Sequence, residues 1–138
     1  MRVFVDSSVF IYGLEFEESN SAIIYNEIAD GAVKAVINEK IIEEVVRYFR
    51  RRKGRHFAYL IESQLRRVSE VEQRQDYAGE IEKWKGKIKE KDLEHLATAK
   101  EFELKIIAFD ADFLPFEEYR TPKQFVEELE KKSYDVEW

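Results

Sequence analysis

The sequence predicts an α/β fold, three layers deep, with helices on both faces of a central, mainly parallel sheet. Two observations carry that expectation. Short apolar runs (Val3-Phe4-Val5, Ala32 to Ile37, Leu104 to Phe109) alternate with longer stretches whose apolar residues recur at helical spacing. Strand–helix–strand order of this kind favours parallel pairing with crossover helices packed on the sheet. A third observation sets the scale. The chain has 138 residues, 44% of them hydrophobic and 14% aromatic, enough for the core of one domain spanning 1–138.

The elements follow in order. Arg2 to Val5 reads as a buried strand that ends at Asp6-Ser7-Ser8, three residues suited to starting a helix. That helical region breaks near Glu17 to Asn20, resumes at Ser21 and stops at Gly31. Ala32 to Ile37 is a second strand. Asn38 is placed to cap a long helix that runs to Lys53, and Gly54 ends it. Phe57, Leu60, Ile61, Leu65 and Val68 mark another helix, and Arg67 to Glu72 a short third strand. Tyr77, Ile81, Trp84 and Ile88 form one apolar stripe, read either as core or as a contact between two copies of the chain. Further helices begin near Asp92 and at Thr121-Pro122, the latter with a capping residue followed by a first-turn proline. Leu104 to Phe109 is the strand between them.

Composition narrows the chemistry. There are no cysteines, so disulfides and thiolate metal sites are excluded, in keeping with a cytoplasmic location. With only His56 and His95 to supply imidazole, oxygen becomes the default metal ligand. No apolar run approaches the roughly 20 residues of a membrane span, and Asp6 arrives too early for a secretory signal. Net charge is −6, yet Arg47, Arg50, Arg51, Arg52, Lys53 and Arg55 form a basic block interleaved with Tyr48, Phe49, Phe57 and Tyr59. Such a block neutralises a helix C-terminus and also suits phosphates and stacked bases.

Four acids stand where apolar elements end or present an edge: Asp6, Glu44, Asp92 and Asp110. In a parallel α/β sheet ligands bind outside the strand carboxyl ends, where Asp6 and Asp110 both fall. On the third helix Glu43 and Glu44 flank the buried stripe almost equally, with Tyr48 tilting the choice towards Glu44. Asp92 is also a natural N-cap, but the Glu or Gln that would complete a capping box is replaced by His95, itself read as a surface or satisfied histidine rather than a ligand. Carboxylates gathered at one point repel each other and call for a hard divalent cation.

These segments together resemble the PIN-domain nucleases, and among them the compact VapC-type toxins. The resemblance runs in family order through Val3-Phe4-Val5-Asp6-Ser7-Ser8-Val9, Ile37 to Val45, Asp92 to Ala99, Ile106 to Phe113, and Thr121-Pro122-Lys123-Gln124-Phe125. It implies that Asp6, Glu44, Asp92 and Asp110 are catalytic and bind one or two Mg²⁺ or Mn²⁺ ions, with Asp112 as an auxiliary ligand and Ser8 supporting them. It further implies cleavage of RNA to a 3′ hydroxyl and a 5′ phosphate, a small antitoxin partner and a homodimer. One departure is Ala108, where the family often carries a hydroxyl before the fourth acid. That departure sustains the alternative of a non-catalytic PIN-like RNA-binding or assembly module. A haloacid-dehalogenase-like phosphatase fits less well, since the first strand is followed by Asp6-Ser7-Ser8 and not by Asp-x-Asp.

Overall fold

In a computed structural model describing Met1–Trp138, five strands form one sheet, all parallel. They are β1 (Arg2–Val5), β2 (Lys34–Asn38), β3 (Ser69–Glu72), β4 (Ile106–Ile107) and β5 (Tyr119–Arg120), in the spatial order β3-β2-β1-β4-β5. Strand β1 lies at the centre, and Val3, Phe4 and Val5 are all buried because helices cover both of its faces. The helices are α1 (Ser7–Glu15), α2 (Asn20–Ala29), α3 (Glu39–Lys53), α4 (Arg55–Val68), α5 (Ala78–Trp84), α6 (Glu90–Glu101) and α7 (Pro122–Glu128). Helix α1 packs on α2 and α3, α3 on α4, and α2 on α7, forming one layer. Helices α5 and α6 pack on each other, and α6 lies against β1 and β2. Chain order explains the split. Progress from β1 to β3 moves one way along the sheet, and the step to β4 reverses it. Right-handed crossovers therefore place the helices of the two halves on opposite faces.

Local signals decide most boundaries. Asp6 caps α1 through Ser8, Asn38 caps α3 through Ile41, and Thr121 caps α7 in a full capping box with Gln124. Three expectations need correction. The stripe from Tyr77 to Ile88 is not one helix: α5 ends at Trp84, and Gly86, with φ of 83°, turns the chain before Ile88. Of the two readings of that stripe, core and contact between copies, the core one holds. Tyr77 and Ile81 are buried against Leu93 and Ala97 in a small second core. Strand β4 is shorter than Leu104 to Phe109, and the pair Tyr119–Arg120, polar enough to pass for loop, forms the edge strand β5. Helix α6 starts at Glu90, so Asp92 lies inside its first turn and is not its cap.

The segment after α7 folds back over α2. The fully buried Asn20 donates to the carbonyls of Tyr134 and Val136 and accepts from the Tyr134 N–H, while Trp138 stacks on Tyr12 at 5.1 Å. Asn20→Leu leaves those backbone groups without partners. The variant should lose about 1–3 kcal/mol in urea melts and become sensitive to protease near residues 130–138; an unchanged midpoint would show that the tail is held by its aromatic contacts alone.

Candidate active site

Pairing of β1 with β4 sets Val5 beside Ile107, and the Asp6 N–H donates to the Ile107 carbonyl. The chain leaves both strands at the same edge of the sheet. Asp6 emerges there from one strand and Asp110 from the other. Ser8 ties the two exits together: its hydroxyl donates to Asp6 Oδ2 at 2.7 Å and accepts from the Phe109 N–H at 3.0 Å.

The acids fall into two adjoining groups. Ligand-capable atoms of Asp6, Glu44 and His95 lie within 4.8 Å of one another, and so do those of Asp92, Asp110 and Asp112. Helix α6 links the groups, because Asp92 and His95 are three residues apart and share a face. Among the residues picked out by sequence, Asp6, Glu44, Asp92, Asp110 and Asp112 all enter this edge of the sheet. Glu44 points into it and Glu43 is exposed. His95 is the residue that sequence reasoning passed over. It is 1% exposed and bonds Glu44 Oε1 through Nε2 at 2.9 Å. The one available hint was the missing capping-box acid at position 95.

Electrostatics differ across the site. Burial pushes the Asp6 carboxyl up from its ordinary range, opposed first by the positive charge a protonated His95 would carry and then by hydrogen bonds from Ser8. Burial pushes Asp92 up to about 6, helped by the hydrogen bond its protonated form gives Asp112 and by the nearby charge of Asp110. Asp112 is held down, first by that shared hydrogen bond and then by Lys89. At Glu44 the effect of burial is outweighed by hydrogen bonds from His95 and Ser7, and its carboxyl is lowered.

A cation-seeking character is visible in the geometry. Asp92 Oδ2 is buried and accepts no hydrogen bond. The Lys91 ammonium lies 3.4 Å from Asp92, 3.5 Å from Asp110 and 3.3 Å from Asp112, a position central to three carboxylates. Three carboxylates, with the buried Asp92 Oδ2 faced only by the Lys91 ammonium at 3.4 Å, form an all-oxygen set that fits a hard divalent ion. Lys91 stands in for part of that charge. Lys91→Met should therefore lower the metal-free melting temperature and tighten Mn²⁺ binding. The gain should be of order 1 kcal/mol, or about fivefold, since exposed ion pairs are individually weak. Calorimetric titration that finds weaker Mn²⁺ binding in the variant would show that Lys91 supports the ion and does not compete with it.

A family model described as PIN domain matches residues 3–119. The chain belongs to the PIN domain family. Solved structures of similar shape agree with the PIN fold. A chain of a toxin–antitoxin complex from Klebsiella pneumoniae superposes with a TM-score of 0.68 at 18% identity, covering 87% of this chain and 97% of that one. VapC20 of Mycobacterium tuberculosis, a toxin that cleaves the sarcin–ricin loop, gives 0.62 at 19% identity, with 83% and 95% covered. A chain of VapBC2 from Rickettsia felis, bound to a DNA fragment from its promoter, gives 0.65 at 11% identity, with 88% and 98% covered. No curated protein sequence matches this one. Within this PIN domain the two acid groups lie at the sheet edge where α/β folds bind ligands, and no helix is long and apolar enough to cross a membrane.

Proposed function

We propose that this PIN domain is a metal-dependent endoribonuclease and the toxin of a toxin–antitoxin pair. The observation that carries the reading is the gathering of acids remote in sequence into two groups at one edge of the sheet, Asp6 with Glu44 and Asp92 with Asp110 and Asp112. Asp6, Glu44, Asp92 and Asp110 would hold one or two Mg²⁺ or Mn²⁺ ions, with Asp112 beside them. When bound, such an ion lowers the pKa of a water and offsets charge on the phosphate. The chain's own residues do the rest. Ser8 orients Asp6, His95 orients Glu44, and the walls of β1, β4 and α6 keep the acids from turning to solvent.

RNA as substrate is supported by the surface next to Glu44. Ile11, Arg47, Tyr48, Arg51 and Arg52 line a groove that opens beside that carboxylate. The Arg52 guanidinium lies 4.7 Å from the centre of the Tyr48 ring, leaving Arg47 and Arg51 exposed. A single-stranded backbone can follow the arginines while a base meets the tyrosine. The resemblance to toxin–antitoxin structures supports a small antitoxin partner, whose arginine would pair with these carboxylates; a homodimer belongs to the same proposal. The decisive experiment incubates pure protein with total RNA and Mn²⁺ and maps the new ends. Discrete Mn²⁺-dependent cuts with 5′ phosphates are expected, and their absence overturns the proposal. Co-expression with the adjacent reading frame tests the partner: failure to recover a tight complex removes the toxin assignment and leaves the nuclease one.

A further inference from the structure

His95 has the composition and place of a metal ligand. It is buried, it lies within ligand distance of Asp6 and Glu44, and its Nε2 faces the carboxylates. Its other ring nitrogen tells a different story. Nδ1 lies 3.3 Å from Asn38 Nδ2, its one hydrogen-bond neighbour. A side-chain amide can be read either way round, and whichever atom faces the imidazole sets the proton count of the ring. Here the cap of α3 removes the ambiguity. Asn38 Oδ1 accepts the Ile41 N–H at 3.0 Å, as the first turn of that helix requires. The amide nitrogen must therefore be the atom that faces His95. Its two hydrogens serve Thr98 Oγ1 at 2.9 Å and, shared, the Glu94 carbonyl at 3.4 Å and His95 Nδ1. Thr98 Oγ1 can accept because its own hydrogen goes to the Glu94 carbonyl at 2.7 Å. An amide nitrogen accepts nothing, so Nδ1 is the acceptor and carries no proton. The single ring proton of the neutral imidazole then sits on Nε2 and is donated to Glu44 Oε1.

We propose that His95 is a positioning residue and not a metal ligand. It is a neutral imidazole whose Nε2–H tautomer is locked by the helix-capping Asn38. Its one donor fixes the rotamer of Glu44 by holding Oε1. In this tautomer the ring's free lone pair is on Nδ1, facing Asn38, so the cation-binding set that this geometry presents is oxygen alone. The relay couples two helices. The residue that starts α3 sets the protonation of a side chain on α6, and that side chain aims a carboxylate one and a half turns further along α3.

The tautomer stands independently of metal binding, whereas the oxygen-only set rests on the reading of these acids as a metal site. Two measurements keep them apart. In metal-free protein at pH 7.5, long-range proton–nitrogen correlation of the two histidines, with His95 assigned by its loss in His95→Gln, should show an unprotonated Nδ1 and a protonated Nε2. Asn38→Asp keeps the capping oxygen and turns an acceptor towards the ring, so Nδ1 should become protonated in that variant. A protonated Nδ1 in the wild type overturns the proposal. In the second measurement Mn²⁺ is titrated calorimetrically into wild type, His95→Gln, which retains an N–H in place of Nε2, and His95→Leu, which does not. The glutamine variant should bind within about threefold of wild type and the leucine variant about 10–100-fold more weakly. Equal losses in both would make the ring a ligand and overturn the proposal. Should His95→Leu fail to fold, the glutamine variant decides alone, because a tenfold loss there is what a ligand predicts. A wild type that binds no Mn²⁺ removes the metal reading and leaves the tautomer to the first measurement.

Discussion

Asp6→Asn should abolish RNA cleavage without weakening the fold. The two expectations come from the same facts. Asp6 is buried at the carboxyl end of the central strand, and burial disfavours its charged form. An amide keeps the oxygen that accepts from the Ser8 N–H and hydroxyl, so the start of α1 survives. It also removes a charge that the metal-free protein holds at a cost. The metal-free melting temperature should therefore stay level or rise. Cleavage should fall by on the order of 10³-fold or more, the scale seen when one member of a cooperating catalytic set is lost. Cuts by purified Asp6→Asn protein that persist at near wild-type rates would remove Asp6 from the chemistry. A collapse in melting temperature would instead make it a structural cap.

The second large effect links divalent ions to pH. At pH 7.5, Mn²⁺ at a hundred times its dissociation constant should add about 2.7 kcal/mol by mass action, or about 10 °C for a domain of this size. Without the ion the pH dependence has the opposite sense to that of an ordinary carboxylate. Asp92 has its carboxyl pushed up to about 6 from an ordinary value of 3.8. Between those values the folded chain holds a proton that the unfolded chain has released. Unfolding sheds it, and the stability that this group contributes is lost as pH rises through about 6. Asp6, raised in the same direction, adds to the trend, while the lowered Glu44 works against it. Metal must displace the Asp92 proton, so apparent Mn²⁺ affinity should fall about tenfold per pH unit below 6. Thermal melts from pH 5 to 8, with and without Mn²⁺, test both statements. A Mn²⁺ shift that stays the same size across that range would show that Asp92 is not among the ligands.

How far the sequence reaches can be judged residue by residue. Asn38 and Thr121 announce their helices because a cap is a contact between residues two or three apart. Asp6 and Asp110 stand out because each follows an apolar run. Such signals are local, and the physics behind them is complete within one turn or one strand. Tyr119–Arg120 was illegible as a strand because an edge strand of two residues has no periodicity to read. The stripe through Tyr77 and Ile81 showed that it would be buried, but not against what. Only packing answers that, and the answer is Leu93 and Ala97 of α6.

By itself, then, the order of apolar runs and caps determined that this chain alternates strands with helices and that its acids fall at the ends of those elements. The tertiary structure decided which strands are neighbours. Setting β1 between β2 and β4 brings Asp6 beside Asp110, turns Glu44 and not Glu43 inward, and sets His95 between Asn38 and Glu44. The reason is range. Capping and amphipathic periodicity act within a few residues, whereas the choice of neighbouring strand follows from burying all the apolar faces together, a property that no single segment carries.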